Sequence, residues 1–486
     1  MKLKIKTGLV AIAVAIGLGA CSESYPGMYY ETENPLINGE TPDSSTLVPL
    51  YVYVNKQSFF SVSSVRNSGM RGIGAFNPIT ATKDKDGNPI QLTHKDSVLY
   101  YNTVFHIFSF RDGKYSSTGA SYPGELANEP NMTWTLMASS GGTKDESKMN
   151  CLVDGYDYNA GMPTHLDEKT GLFPTDKTPL YYGSYQDVGY NFFAYNIDDI
   201  STASCHRDRD SIYYDLEIDG TQDVMCGFAP RLTEDVLNER YSELTMTDSE
   251  RQRVLNIGNY STYAAHRNID PYVDVYHEMS RLLFRAYPGD TTANYVTVDS
   301  IYVTCPASGK LVVAHKDPTR VGFYVNPDRE KRLYLHENPE LEEVTLEDGT
   351  IEERLKPCEL IDSGYYHVEW KKGYANTTLN QREYVDIGGS IILPSRQDYV
   401  ITIVATQNRE GEIKRIVSTY RVAAPEKEEN RDADGNYVFK TGRYYTINLV
   451  VYGLQPIKVF ANIEGWQEGE TIIVDPDDAE TEQVYE

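Results

Sequence analysis

The residue with the most definite chemistry in this sequence is Cys21. It stands directly after Leu18-Gly19-Ala20. Small residues before a cut fit the tight pockets of a peptidase. A cysteine after the cut offers a thiol for acylation and, once freed, an amine for a further acyl chain. Upstream lie Lys2, Lys4 and Lys6, then a run from Leu9 to Ala20 that is apolar or glycine throughout. A basic start and a short apolar stretch make a signal peptide. The run is too short to cross a bilayer as a helix, which takes about 20 apolar residues. Residues 1–20 are therefore expected to be removed and Cys21 to carry lipid, with residues 21–45 as a polar tether containing Pro26, Pro35, Gly39 and Pro42.

The other reactive side chains do not assemble into a recognisable centre. His277, in Val275-Tyr276-His277-Glu278-Met279-Ser280, has no partner at metal-ligand spacing and reads as a hydrogen-bonded structural residue. Asp84-Lys85-Asp86-Gly87-Asn88 and Asp432-Ala433-Asp434-Gly435-Asn436 place carboxylates two apart. Neither has the distal Glu of a calcium loop, and Asp-Gly is the residue pair of a tight turn. Besides Cys21 there are Cys151, Cys205, Cys226, Cys305 and Cys358, with no C-x-x-C. An odd number rules out a fully paired intrachain framework. Cys226 and Cys305 sit in apolar stretches and are expected to be small core residues. There is no H-E-x-x-H, no G-x-S-x-G, no P-loop and no dinucleotide-binding G-x-G-x-x-G after a strand. A glycosidase needs only two carboxylates, but 71 acidic residues single out no pair. The expectation is a protein without catalytic residues, metal or cofactor.

The elements that would carry these residues are strands. The chain has 39 Tyr against 14 Phe and 3 Trp, and Tyr and Val favour strands. Short alternating runs recur between Gly, Pro, Asn and Asp, among them 50–54, 104–110, 190–197, 272–284, 399–406, 413–422 and 444–451. Residues 231–256 break the pattern. Their spacing, and a capping box at Thr247-Asp248-Ser249-Glu250, predict a short helical insertion. Residues 337–357 read as a charged loop or hairpin. The fold class is all-β, with two tandem β-sandwiches expected at 46–287 and 288–475 and an acidic tail at 476–486. A net charge of −26 excludes a nucleic-acid partner.

Four features in order resemble the fimbrillin family, the lipoprotein subunits of type V pili. One is Cys21 with its lipobox-like approach. A second is Pro179-Leu180-Tyr181-Tyr182 and Tyr190–Tyr195, leading to Gly220-Thr221-Gln222-Asp223-Val224-Met225. A third is Val273–Phe284, where His277, Met279, Ser280, Arg281, Leu282 and Phe284 fit the family's strand and Tyr276 replaces its usual Phe. The fourth is Gly442–Leu449 with Ile463–Trp466.

The resemblance implies two β-sandwiches of transthyretin-like topology and a structural or adhesive role in a fimbrium. It implies export to the outer membrane as a lipoprotein, removal of an N-terminal strand by a protease, and filling of the vacated groove by a strand from another subunit. In this chain 50–54 would be the removable strand, and Arg66 and Arg71 the cleavage candidates. Thr471, Ile472, Ile473 and Val474 would be the donor strand. The partners would be other pilus subunits, the membrane through the lipid, and a ligand on a host or bacterial surface. The helical insertion and acidic loops depart from a plain stalk subunit. A surface glycan-binding lipoprotein using Tyr and Trp platforms is the alternative.

Overall fold

The computed structural model describes residues 48–54, 103–112, 161–167, 171–175, 205–207, 458–462 and 484–485, with most of 182–198 and 211–453. The chain is all-β with a small helical insertion. In order come β1 (Tyr53–Val54), β2 (Val104–Asp112), β3 (Met162–Asp167), β4 (Gly171–Pro174), β5 (Gly189–Ile197), β6 (Cys205–Arg207), β7 (Ser211–Glu217) and β8 (Val224–Phe228). Helices α1 (Glu234–Arg240), α2 (Asp248–Ile257) and α3 (Thr262–Ala265) follow, then β9 (Tyr272–His277) and β10 (Ser280–Pro288). The remaining strands are β11 (Val296–Pro306), β12 (Ser308–His315), β13 (Gly322–Val325), β14 (Glu330–Tyr334), β15 (Leu341–Thr345), β16 (Ile351–Leu355), β17 (Tyr366–His367), β18 (Val385–Ile392), β19 (Asp398–Arg409), β20 (Glu412–Ala423), β21 (Tyr444–Val451), β22 (Lys458–Asn462) and β23 (Val484–Tyr485).

A seven-stranded sheet runs β1-β9-β8-β5-β2-β3-β4, and a four-stranded sheet runs β13-β12-β7-β6. Tyr195 of β5 and Tyr214 of β7 join the two, with hydroxyls 2.6 Å apart. Strands from either side of residue 288 share the second sheet, because β12 pairs with β7. Two further sheets, β18-β10-β21-β22 and β14-β11-β19-β20-β23, meet through Phe439, whose ring lies 4.7 Å from both Tyr399 of β19 and Tyr445 of β21. Most buried apolar residues form one continuous cluster across these sheets.

The run 272–284, which reads as one strand, is two strands in different sheets. The chain changes sheets at Glu278-Met279. Glu278 is buried; its carboxylate accepts from the Cys226 thiol at 3.3 Å and from the Phe323 amide at 3.3 Å. No glycine or proline marks this break, so alternation alone runs through it. Within the charged stretch 337–357, Leu341–Thr345 (β15) pairs antiparallel with Ile351–Leu355 (β16). At the tail, Val484 and Tyr485 pair with Val417 and Ile416 on the outer side of β20.

The helical insertion is present, with one more turn of helix, α3, than the sequence indicates. Thr247 and Glu250 form the reciprocal capping box. Asp432 Oδ1 accepts from the amides of Asp434 and Asn436, so this acidic segment is a self-satisfied turn. Cys226 and Cys305 are core residues, and burial pushes the Cys305 thiol up to about 12.

Candidate functional site

The segment 48–54 closes the first sheet on itself. Val48, Leu50, Val52 and Val54 are buried, while Pro49, Tyr51 and Tyr53 are half-buried. That period-two burial is what a strand does when one face meets a core. On one side the segment pairs in parallel with β9, Tyr53 opposite Tyr272 and Val54 opposite Val273. The Tyr53 amide donates to the Pro271 carbonyl at 2.8 Å. On the other side Val52 makes a parallel bridge to Gly171 at the start of β4. There the Leu172 amide donates to Val52 O at 2.6 Å and the Tyr182 amide to Val48 O at 2.8 Å. One short segment thus bridges the two edges of a seven-stranded sheet.

Gly171 makes this approach possible. Its φ is +72°, in the left-handed region. A Cβ there would lie 2.3 Å from the Val52 carbonyl oxygen. No spacing pattern in the sequence distinguishes this glycine from a turn glycine.

The helical insertion braces the β9 side. Arg240 of α1 pairs with Asp274 of β9 at 2.5 Å, both mostly buried. The Tyr241 hydroxyl donates to the Asp270 carbonyl at 2.6 Å. The Tyr190 amide, at the start of β5, donates to the Tyr260 carbonyl at 2.7 Å. Tyr53 stacks on Tyr272 with ring centroids 4.9 Å apart. Burial, and then the Asp270 charge, push the Tyr53 hydroxyl well above its ordinary value.

Two of the sequence motifs meet in the core. His277 Nδ1 lies 2.7 Å from Asp223 Oδ2, with both side chains fully buried. Asp223 Oδ1 accepts from the Val224 amide, and the Asp223 amide donates to Asp198 Oδ2. The pair ties β9 to the turn before β8. His277 is therefore the hydrogen-bonded structural residue its setting in the sequence indicates. Among the described residues no group of three or more His, Cys, Asp or Glu could hold a metal ion.

Cys21, Arg66, Arg71, Thr471, Ile472, Ile473 and Val474 lie outside the described residues, as do the 84–88 turn, Cys151 and Cys358. The removable-strand candidate 50–54 lies within them, and its surroundings are the seam just described.

No family model matches this chain, and no curated protein matches it. Solved structures similar to this chain include three of low identity. A candidate adhesin of Bacteroides thetaiotaomicron is 8% identical at a TM-score of 0.29, with 77% of this chain and 90% of that chain covered. A candidate cell adhesion protein of Bacteroides eggerthii is 11% identical at 0.28, with 79% and 88% covered. The fimbrial anchor protein Mfa2 of Porphyromonas gingivalis is 9% identical at 0.25, with 88% and 100% covered. Likeness this distant assigns no function.

Proposed function

We propose that this chain is a non-enzymatic subunit of a cell-surface fimbrium, structural or adhesive, that joins its neighbours by exchanging the strand at 48–54. The observation that carries this reading is the seam: a short segment held in parallel between β9 and β4, with four alternating side chains in the core. Emptying it would bare two strand edges and an apolar slot, and an extended segment from another chain would restore both. In this scheme the chain is exported as a lipoprotein anchored at Cys21 to the outer membrane. A protease then cuts after Arg66 or Arg71 and frees the first strand. Thr471–Val474 of another subunit is the donor.

The test is limited digestion of the mature chain with an arginine-specific protease, read by N-terminal sequencing and unheated gel electrophoresis in SDS. The reading predicts a product that has lost 48–54 and forms an SDS-resistant ladder. Arg66→Ala combined with Arg71→Ala abolishes the ladder. A product that keeps 48–54 bound and stays monomeric contradicts it.

A further inference from the structure

Asp270 lies at the lip of the seam and takes no part in the pairing just described. It immediately precedes Pro271, whose carbonyl receives the Tyr53 amide. It is only 3% exposed, and among the described residues its Oδ2 has no hydrogen-bond partner. Three tyrosines from three elements are coupled electrostatically to it: Tyr53 from β1, Tyr182 from the segment before β5, and Tyr241 at the end of α1. Two of the three depend on the seam strand. Tyr53 belongs to it, and Tyr182 is hydrogen-bonded to Val48. Leaving one oxygen of a buried carboxyl without a donor makes its ionisation costly.

We propose that Asp270 is a proton latch on the seam: segment 48–54 closes over a neutral carboxyl, and ionisation of that carboxyl loosens it. The inference rests on the reading of the seam as one that opens. Burial raises the Asp270 carboxyl to about 7 while the seam is closed. When 48–54 leaves, water reaches the group and its pKa falls toward the ordinary carboxylate value near 3.9. The closed form thus holds the proton more tightly than the open form, and opening releases it. Below about pH 4 both forms are protonated and the latch contributes nothing to opening. Opening becomes easier as pH rises from there, and the gain levels off above about 7. The three phenols coupled to Asp270 are all pushed upward, by burial first, and stay neutral in this range. Burial holds the His106 and His266 side chains down to about 4, so they stay neutral above pH 5.

The test is hydrogen exchange at the Tyr53, Leu172 and Tyr182 amides of the uncut mature chain between pH 5 and 7.5, corrected for intrinsic exchange. Protection at these sites should fall by tens of fold, at most about a hundredfold for full exposure on opening, while amides of β21 do not change. Asp270→Asn should flatten the profile. A flat profile in the wild-type chain overturns the proposal, and so does an equal slope in the Asn variant. If that variant does not fold, the wild-type profile decides alone. Failure of the SDS ladder would leave this result standing, because opening is read within one chain.

Discussion

Strands β1 and β21 are both laid parallel to a neighbour, and they are held in opposite ways. β21 pairs with β10 over eight residues, from Arg281 opposite Tyr444 to Pro288 opposite Val451. Its other side is covered by β22. β1 pairs with β9 over two residues, and Val52 just before it makes a single bridge to β4 on the far side. Beyond a few backbone hydrogen bonds, the segment 48–54 is held by side chains: Val48, Leu50, Val52 and Val54 are buried, each contributing about 1.5–3 kcal/mol as an upper estimate. β21 is built into the middle of its sheet by its backbone. The segment 48–54 is lodged in a slot, the arrangement that the proposed strand exchange requires.

The largest effect should come from charging the interior strand. Leu449→Asp puts an unpaired carboxylate in a fully buried site of β21 and should unfold its sheets, a loss above about 4 kcal/mol, seen as loss of the cooperative melt by circular dichroism. Gly171→Val should act on the other strand alone. Strain at positive φ and collision with Val52 O should weaken the seam by about 2–4 kcal/mol. Exchange at Leu172 and Tyr182 should quicken with β21 protection unchanged; equal loss in both regions would erase the contrast. Arg240→Ala strips Asp274 of its mostly buried partner and should cost about 2 kcal/mol, between an exposed and a buried pair, read as a shift of the denaturant midpoint. Thr247→Ala removes the capping box of α2 and should cost about 1 kcal/mol on the same measurement.

Much of the strand pattern was legible because alternation of Tyr, Val, Ile and Leu is a local signal. The runs at 190–197, 399–406 and 444–451 fall inside β5, β19 and β21. The capping box at Thr247 was legible for the same reason, its two partners being three residues apart. What was not legible depends on distant approach. At the break, the Glu278 carboxylate accepts from Cys226 and Phe323, which are distant in sequence. Gly171 matters only because Val52, over a hundred residues earlier, lies against it. Asp223 and His277 were each visible within a motif, but their contact joins residues 54 apart. Asp270 gave no signal at all, since its role comes from what covers it. Parallel pairing of 53–54 with 272–273 was likewise hidden, because alternation fixes which face a residue takes and not which way its neighbour runs.

The most direct measurement is binding of a labelled peptide with the sequence of residues 47–55 to the chain before and after removal of its own first strand. The account predicts no binding to the intact chain, saturable binding to the trimmed chain, and no binding by a peptide carrying Val52→Asp. A peptide that binds both forms equally, or a trimmed chain that binds the native and Val52→Asp peptides alike, would contradict it.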